Sequence, residues 1–192
     1  MVHSIKNLIL KNRSYRRFYH DKPMTEKQLE DLVDLARLSP SAANIQPLKF
    51  ILSCNQKKNE KIFSCLAWAG YLKDWPGPEE SERPTGYIII LGDTEIAKDF
   101  GCNHGIAAQS ILLGATEMGF GGCMIASIQR NKLAELLKIP PHYEILLVLA
   151  LGEPKEHVVI VEAKDGEIKY WRDANKTHHV PKRALSEIIL DL

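Results

Sequence analysis

Arg13-Ser14-Tyr15-Arg16-Arg17-Phe18 and, after one helical stretch, Pro40-Ser41-Ala42-Ala43-Asn44-Ile45-Gln46-Pro47 decide how this chain is read. The first segment offers guanidinium forks and a hydroxyl, the groups that grip phosphate in two-pronged fashion. The second offers a hydroxyl and two amides between prolines, suited to the edge of a heterocycle. On their own, three arginines within five residues are ordinarily a solvated cluster, and turn chemistry alone accounts for many polar loops. The signal is their joint occurrence, in order and spacing: an anion site and a binding turn flanking one amphipathic helix.

That helix is well marked. Thr25 and Gln28 form a T-x-x-Q capping box, Leu29, Leu32, Val33 and Ala36 make a core-facing stripe, and Ser39-Pro40 ends it. Upstream, Val2, Ile5, Leu8 and Ile9 recur at helical spacing up to Lys11-Asn12, which delivers Arg13 to Arg17 onto an exposed connection. Downstream, the pattern predicts strands over 49–53, 87–92 and 145–151, helices over 57–67 and 131–138, and a buried central helix over 103–118. An extended run at 123–127 follows Gly119-Phe120-Gly121-Gly122. Residues 158–162 and 168–171 are expected to pair around Asp165-Gly166, before a C-terminal helix from about Ala184. The stretch 70–86 reads as a long loop of the kind that is more often functional than connective.

With 192 residues, 45% hydrophobic and 26% charged, the chain fits one globular domain over 1–192. Its 25 basic and 24 acidic residues leave a net charge of +1, which argues against nucleic acid or an anionic membrane as partner. No segment is apolar enough to span a bilayer, and the basic N-terminus reads as neither signal peptide nor anchor. Cys54, Cys65, Cys102 and Cys123 form no C-x-x-C pair, so they are expected to be reduced thiols in a cytoplasmic protein. The neighbours His178 and His179 point apart in most backbones, and no metal site is expected.

The two motifs resemble those of the nitroreductase family of FMN-dependent oxidoreductases, which open with R-S-x-R and continue, one helix later, with S-P-S-x-x-N-x-Q-P. The resemblance implies an α+β fold, a mixed sheet flanked by helices, and a homodimer with FMN at its interface. It puts Arg13 and Ser14 near the FMN phosphate and ribityl chain and Arg16 beside the pyrimidine end of the ring, where a cation favours the reduced, anionic flavin. Asn12 departs from the pattern, since many relatives carry a further arginine there. Pro40, Ser41 and Asn44 would serve the neighbouring subunit's flavin; Gln46 is either a further flavin contact or an amide that shapes its own turn. Ile125, Ala126 and Ser127 match the segment laid against the flavin face, and Lys182 and Arg183 the basic element that closes over the phosphate.

The Gly119–Gly122 run is not a dinucleotide fingerprint, because a helix precedes it and an extended run follows. No G-x-S-x-G elbow or P-loop is present, and no side chain is assigned as a catalytic nucleophile. Trp68, Tyr71 and Trp75 are either core anchors or an aromatic wall over a flat substrate. The expected chemistry is hydride from NAD(P)H to flavin, then electrons to a nitroaromatic or quinone. A flavin-storing module without turnover and a flavin enzyme of another reaction type are the alternatives.

Overall fold

The computed structural model describes residues 4–191, and the apolar run 88–91 lies at its centre. That run belongs to β2 (Gly86–Asp93), buried at every position. It pairs antiparallel on one side with β1 (Leu48–Ser53) and on the other with β4 (Tyr143–Gly152), which carries β3 (Gly121–Ile125) at the far edge. The order β1-β2-β4-β3 is wholly antiparallel.

Strand alternation sends β2 side chains to two cores. Ile88 and Ile90 pack with Leu29, Leu32, Ile111 and Leu149 under α2 (Glu26–Leu38) and α4 (Asn103–Glu117). Tyr87 and Ile89 pack with Ile62, Leu133 and Val148 under α3 (Gln56–Phe63) and α5 (Arg130–Leu137). Each fully buried Leu or Ile contributes about 1.5–3 kcal/mol, so a sheet covered on both faces is what holds β3 in place. The Thr25–Gln28 capping box is formed, and α2 ends at Ser39 as its proline requires.

Three expectations change. The 57–67 helix stops at Phe63, because the next residues are captured by strand-like bonds: Gln129 N–H donates to Cys65 O at 2.8 Å and Ala67 N–H to Ser127 O at 3.0 Å. The pairing of 158–162 with 168–171 does not form. Instead β5 (Val158–Glu162) and β6 (Trp171–Arg172) both pair with β7 (His178–Lys182), β5 in parallel and β6 antiparallel. Asp165-Gly166 does turn, with φ of 53° and 73°, but a second turn competes: the Asp173 carboxylate accepts the Asn175 and Thr177 N–H groups, each at 2.9 Å, and folds β7 back on β6. The C-terminal helix is a single 3-10 turn, Leu185–Glu187, because Leu185, Ile188, Ile189 and Leu190 are all exposed and find no surface of this chain to cover.

Helix α1 (Ile5–Lys11) buries none of its residues and leaves Ile5 63% exposed; Val2 lies outside the described residues. No helix among the described residues is long and apolar enough to cross a membrane.

Candidate functional site

Strand β3 organises the site. The Arg13–Arg16 segment runs along it through a parallel bridge from Ser14 to Gly122, with Tyr15 N–H donating to Gly122 O at 3.0 Å. Gly121 permits this approach, since a Cβ there would sit 2.5 Å from the Tyr15 ring, while one on Gly122 would lie 2.7 Å from Ala150 O of the neighbouring strand β4. The start of β3 is therefore where the Arg13–Arg16 segment docks.

Arg13, Ser14, Arg16 and Lys182 converge on one cavity of about 280 Å³, also lined by Gln109 and His178. Arg13 Nη2 donates to Ile9 O at 2.7 Å, while its Nε is enclosed and has no partner among the described residues. Arg16 does not lie on an exposed connection as expected but is buried under β7, and its Nη1 reaches only Ser14 O at 3.2 Å and His178 Nε2 at 3.4 Å. Among the described residues none of these three cations forms a salt bridge. Arg17 differs: it turns to Glu82, with Nε–Oε2 at 2.5 Å, and Lys155 joins the pair at 3.1 Å. Hydrogen bonding by Arg17, then by Lys155, holds the Glu82 carboxyl down at about 2.

His178 is 1% exposed. Burial pushes its pKa down to about 4, against the pull of Glu156, so the ring is neutral at pH 7. A guanidinium can only donate, so Nε2 accepts from Arg16 and the proton sits on Nδ1, which has no partner among the described residues. Burial also raises the Cys123 thiol, which leaves it protonated and unreactive.

A second cavity of about 200 Å³ adjoins the first, sharing Arg16, Met124 and Tyr170. Its walls are 67–70 and the 125–127 segment, with Ile125 buried and Ala126 and Ser127 exposed. Tyr170 stands where the two cavities meet: Arg16 Cζ lies 5.0 Å from its ring centroid, and the Tyr71 and His178 rings lie at 4.9 Å and 5.0 Å. Of the three loop aromatics, Trp68 is buried and lines this cavity, Tyr71 stacks on Tyr170, and Trp75 lies 4.1 Å beneath the Arg172 guanidinium.

Other expected residues lie elsewhere. Pro40, Ser41 and Gln46 line a separate cavity with Asn103. Ser41 Oγ donates to Asn103 Oδ1 at 2.8 Å and accepts Gln46 N–H at 3.0 Å, while Gln46 Nε2 donates to Asn44 O at 3.2 Å. Of the two roles considered for Gln46, the amide shaping its own turn is the one seen within the chain. Asn44 and Gln46 take φ of 54° and 53°. Arg183 departs from expectation: it is not among the cavity's lining residues, and it pairs with Glu187 at 3.7 Å, because the residue after Lys182 turns to the other side of the strand's end. Tyr170 and His178 are the residues that sequence reading missed; with no motif around them, only the β6–β7 pairing brings them to Arg16.

A family model described as "Nitroreductase family" matches residues 9–153. The chain belongs to the nitroreductase family. A protein of Archaeoglobus fulgidus, provisionally named an NADH dehydrogenase/NAD(P)H nitroreductase, is 29% identical over 166 residues, which is 82% of this chain and 90% of that protein. The FMN reductase (NADPH) of Bacillus subtilis is 28% identical over 160 residues, 76% of this chain and 64% of that one. Among solved structures, the nitroreductase family protein of Streptococcus pneumoniae superposes with a TM-score of 0.71 at 20% identity, covering 98% of this chain and 100% of its own. This member of the family draws Tyr170, His178 and Lys182 from beyond the stretch that the family model matches.

Proposed function

We propose that this chain is an FMN-dependent oxidoreductase that carries electrons from NAD(P)H to a small flat electrophile such as a nitroaromatic or quinone, as a cytoplasmic homodimer. The observation that carries the reading is the set of three cations, Arg13, Arg16 and Lys182, gathered at one cavity, none of whose side chains forms a salt bridge among the described residues. The neighbouring Glu156 bonds the Arg16 backbone and pairs with Arg172, so the three cations repel one another and an anion bound between them relieves the cost. FMN ends in a phosphate, and the donor set, with the Ser14 hydroxyl and the unpartnered Arg13 Nε, fits it. The names of the Bacillus subtilis FMN reductase and of the Vibrio harveyi NADPH-flavin oxidoreductase, 22% identical to this chain, support the same cofactor and reductant.

When bound, FMN supplies a ring that takes up and returns two electrons as hydride. The chain's own work is placement and electrostatics. Arg13, Ser14 and Lys182 hold the phosphate end. Arg16, fixed by its backbone bond to Glu156 at 2.9 Å, presents a buried cation to the ring edge that gains negative charge on reduction. Ile125, Ala126 and Ser127 wall the second cavity, where the ring's face and the substrate are to meet. Pro40, Ser41 and Asn44, remote from Arg13 within one chain, complete the site of a second copy, with Gln46 shaping their turn. The exposed apolar residues Ile5, Ile9, Leu10, Leu35, Leu38 and Ile45 support such pairing. All four cysteines are free thiols, as a reducing compartment keeps them.

Denaturation of the purified protein should release FMN and not FAD, and anaerobic NADH or NADPH should bleach the flavin absorbance. Colourless protein that binds no FMN on titration refutes the cofactor. Flavin that stays oxidised with both reductants refutes turnover and leaves storage. A stable monomer that retains stoichiometric flavin refutes the shared site.

A further inference from the structure

A fourth cavity, of about 170 Å³, lies between α3 and the 80–85 segment and has no lining residue in common with the three described above. Its walls are apolar where Phe63, Pro23 and Pro84 face it. Two residues of its lining carry enclosed donors that have no partner among the described residues: Tyr87, 1% exposed, through its hydroxyl, and Arg83 through its Nε. A tyrosine buried in a sheet core ordinarily finds a partner for its hydroxyl, so two unpartnered donors on residues that line one cavity are a feature to be explained.

We propose that this cavity binds a small aromatic monocarboxylate, its carboxylate accepting from Tyr87 and Arg83 and its ring lying against Phe63 and the prolines. A carboxylate has two acceptor oxygens, and two residues of the lining carry unpartnered donors just beneath its wall, one of them cationic. The Arg83 guanidinium is already oriented, its Cζ 4.1 Å from the Phe63 ring centroid. Its backbone is fixed as well, since His20 Nδ1 lies 3.2 Å from Arg83 O. Burial pushes the Tyr87 phenol far above its usual range, which keeps it a donor at any physiological pH. Glu60 and Glu80, both exposed, stand at the lining's acidic side and disfavour a second negative charge on the ligand. A single carboxylate on an apolar body satisfies all four conditions.

The test is calorimetric titration of the flavin-loaded protein with benzoate, with benzamide as the neutral isostere. Saturable binding of one benzoate per chain is expected, at least about tenfold tighter than benzamide. Tyr87→Phe, which deletes only the hydroxyl from the core, and Arg83→Gln should each weaken benzoate about tenfold or more. Arg13→Ala should leave it unchanged. No saturable binding at about 10 mM benzoate overturns the proposal and leaves the hydroxyl to water. Equal affinity in Tyr87→Phe overturns it too. Weakening by Arg13→Ala, or displacement of benzoate by added FMN, assigns the anion to the cationic cavity instead.

Discussion

Glu156→Gln asks whether the acid that anchors the cationic cavity also holds the C-terminal sheet to the domain. The Glu156 side chain is fully enclosed. Its Oε2 accepts the Arg16 backbone N–H at 2.9 Å and its Oε1 accepts Arg172 Nε–H at 3.1 Å. Glutamine keeps the shape and one acceptor oxygen but loses the charge, which strands the Arg172 guanidinium at 15% exposure. Removing one partner of a buried pair costs about 3–5 kcal/mol, and a retained neutral hydrogen bond offsets about 1 kcal/mol of that. The expected loss is about 3 kcal/mol. For a chain of this length that lowers the thermal midpoint by roughly 6–12 °C, measured by calorimetry at neutral pH. A fall below about 3 °C refutes the reasoning, since Arg172 must then rehydrate at little cost. Glu156→Gln with Arg172→Met removes the stranded charge and should recover at least half of the loss; strict additivity of the two single changes would equally dismiss the pair.

Arg13→Ala should weaken FMN binding by about one to two decades, the worth of a charge-assisted contact, whereas Arg16→Ala should mainly lower the flavin midpoint potential, by about 30 mV for each 1.4 kcal/mol of lost preference for the reduced ring. An unchanged potential in Arg16→Ala makes that residue a phosphate ligand or structural charge. His178 binds its proton less readily folded than unfolded, so its contribution to stability is complete above pH 6.5 and is lost as the pH falls to about 4; denaturant titrations of His178→Phe should lack this slope. Glu82, ordinarily near 4.5 and held near 2 in the fold, contributes stability above pH 4.5 that disappears as the pH falls towards 2. Glu82→Gln should flatten that lower limb and leave the His178 limb intact.

What the sequence made legible was local. Capping by Thr25 and Gln28, the stop at Ser39-Pro40 and the buried run of β2 each follow from chemistry contained within a few residues, and each is seen in the fold. The C-terminal quarter was misread because its pairing is a competition between two turns, Asp165-Gly166 and Asp173–Thr177, and only three-dimensional packing decides which strand lies in the middle. The same ambiguity hid Tyr170 and His178, which have no motif and enter the site through β7. Arg183 shows the converse: next to Lys182 in sequence, it lies just past the end of β7, outside the cavity's lining, and pairs with Glu187.

The cationic cavity is closed by residues from both ends of the chain, since Arg16 bonds Glu156 across 140 positions and meets His178 across 162. The cavity is complete only when the C-terminal sheet has docked, because β7 brings His178, Val180 and Lys182 to Arg13 and Arg16. On the proposed placement of the cofactor's phosphate in this cavity, its binding and the docking of β5, β6 and β7 would be linked: a ligand that binds only the closed arrangement stabilises it by about 2.7 kcal/mol at a hundred times its dissociation constant. That is close to the loss expected from Glu156→Gln. Glu156 supplies a negative charge against Arg16 and Arg172, and on the proposed reading the cofactor's phosphate would supply a second on the cavity's side, so that the sheet would be held by one internal and one external counter-charge.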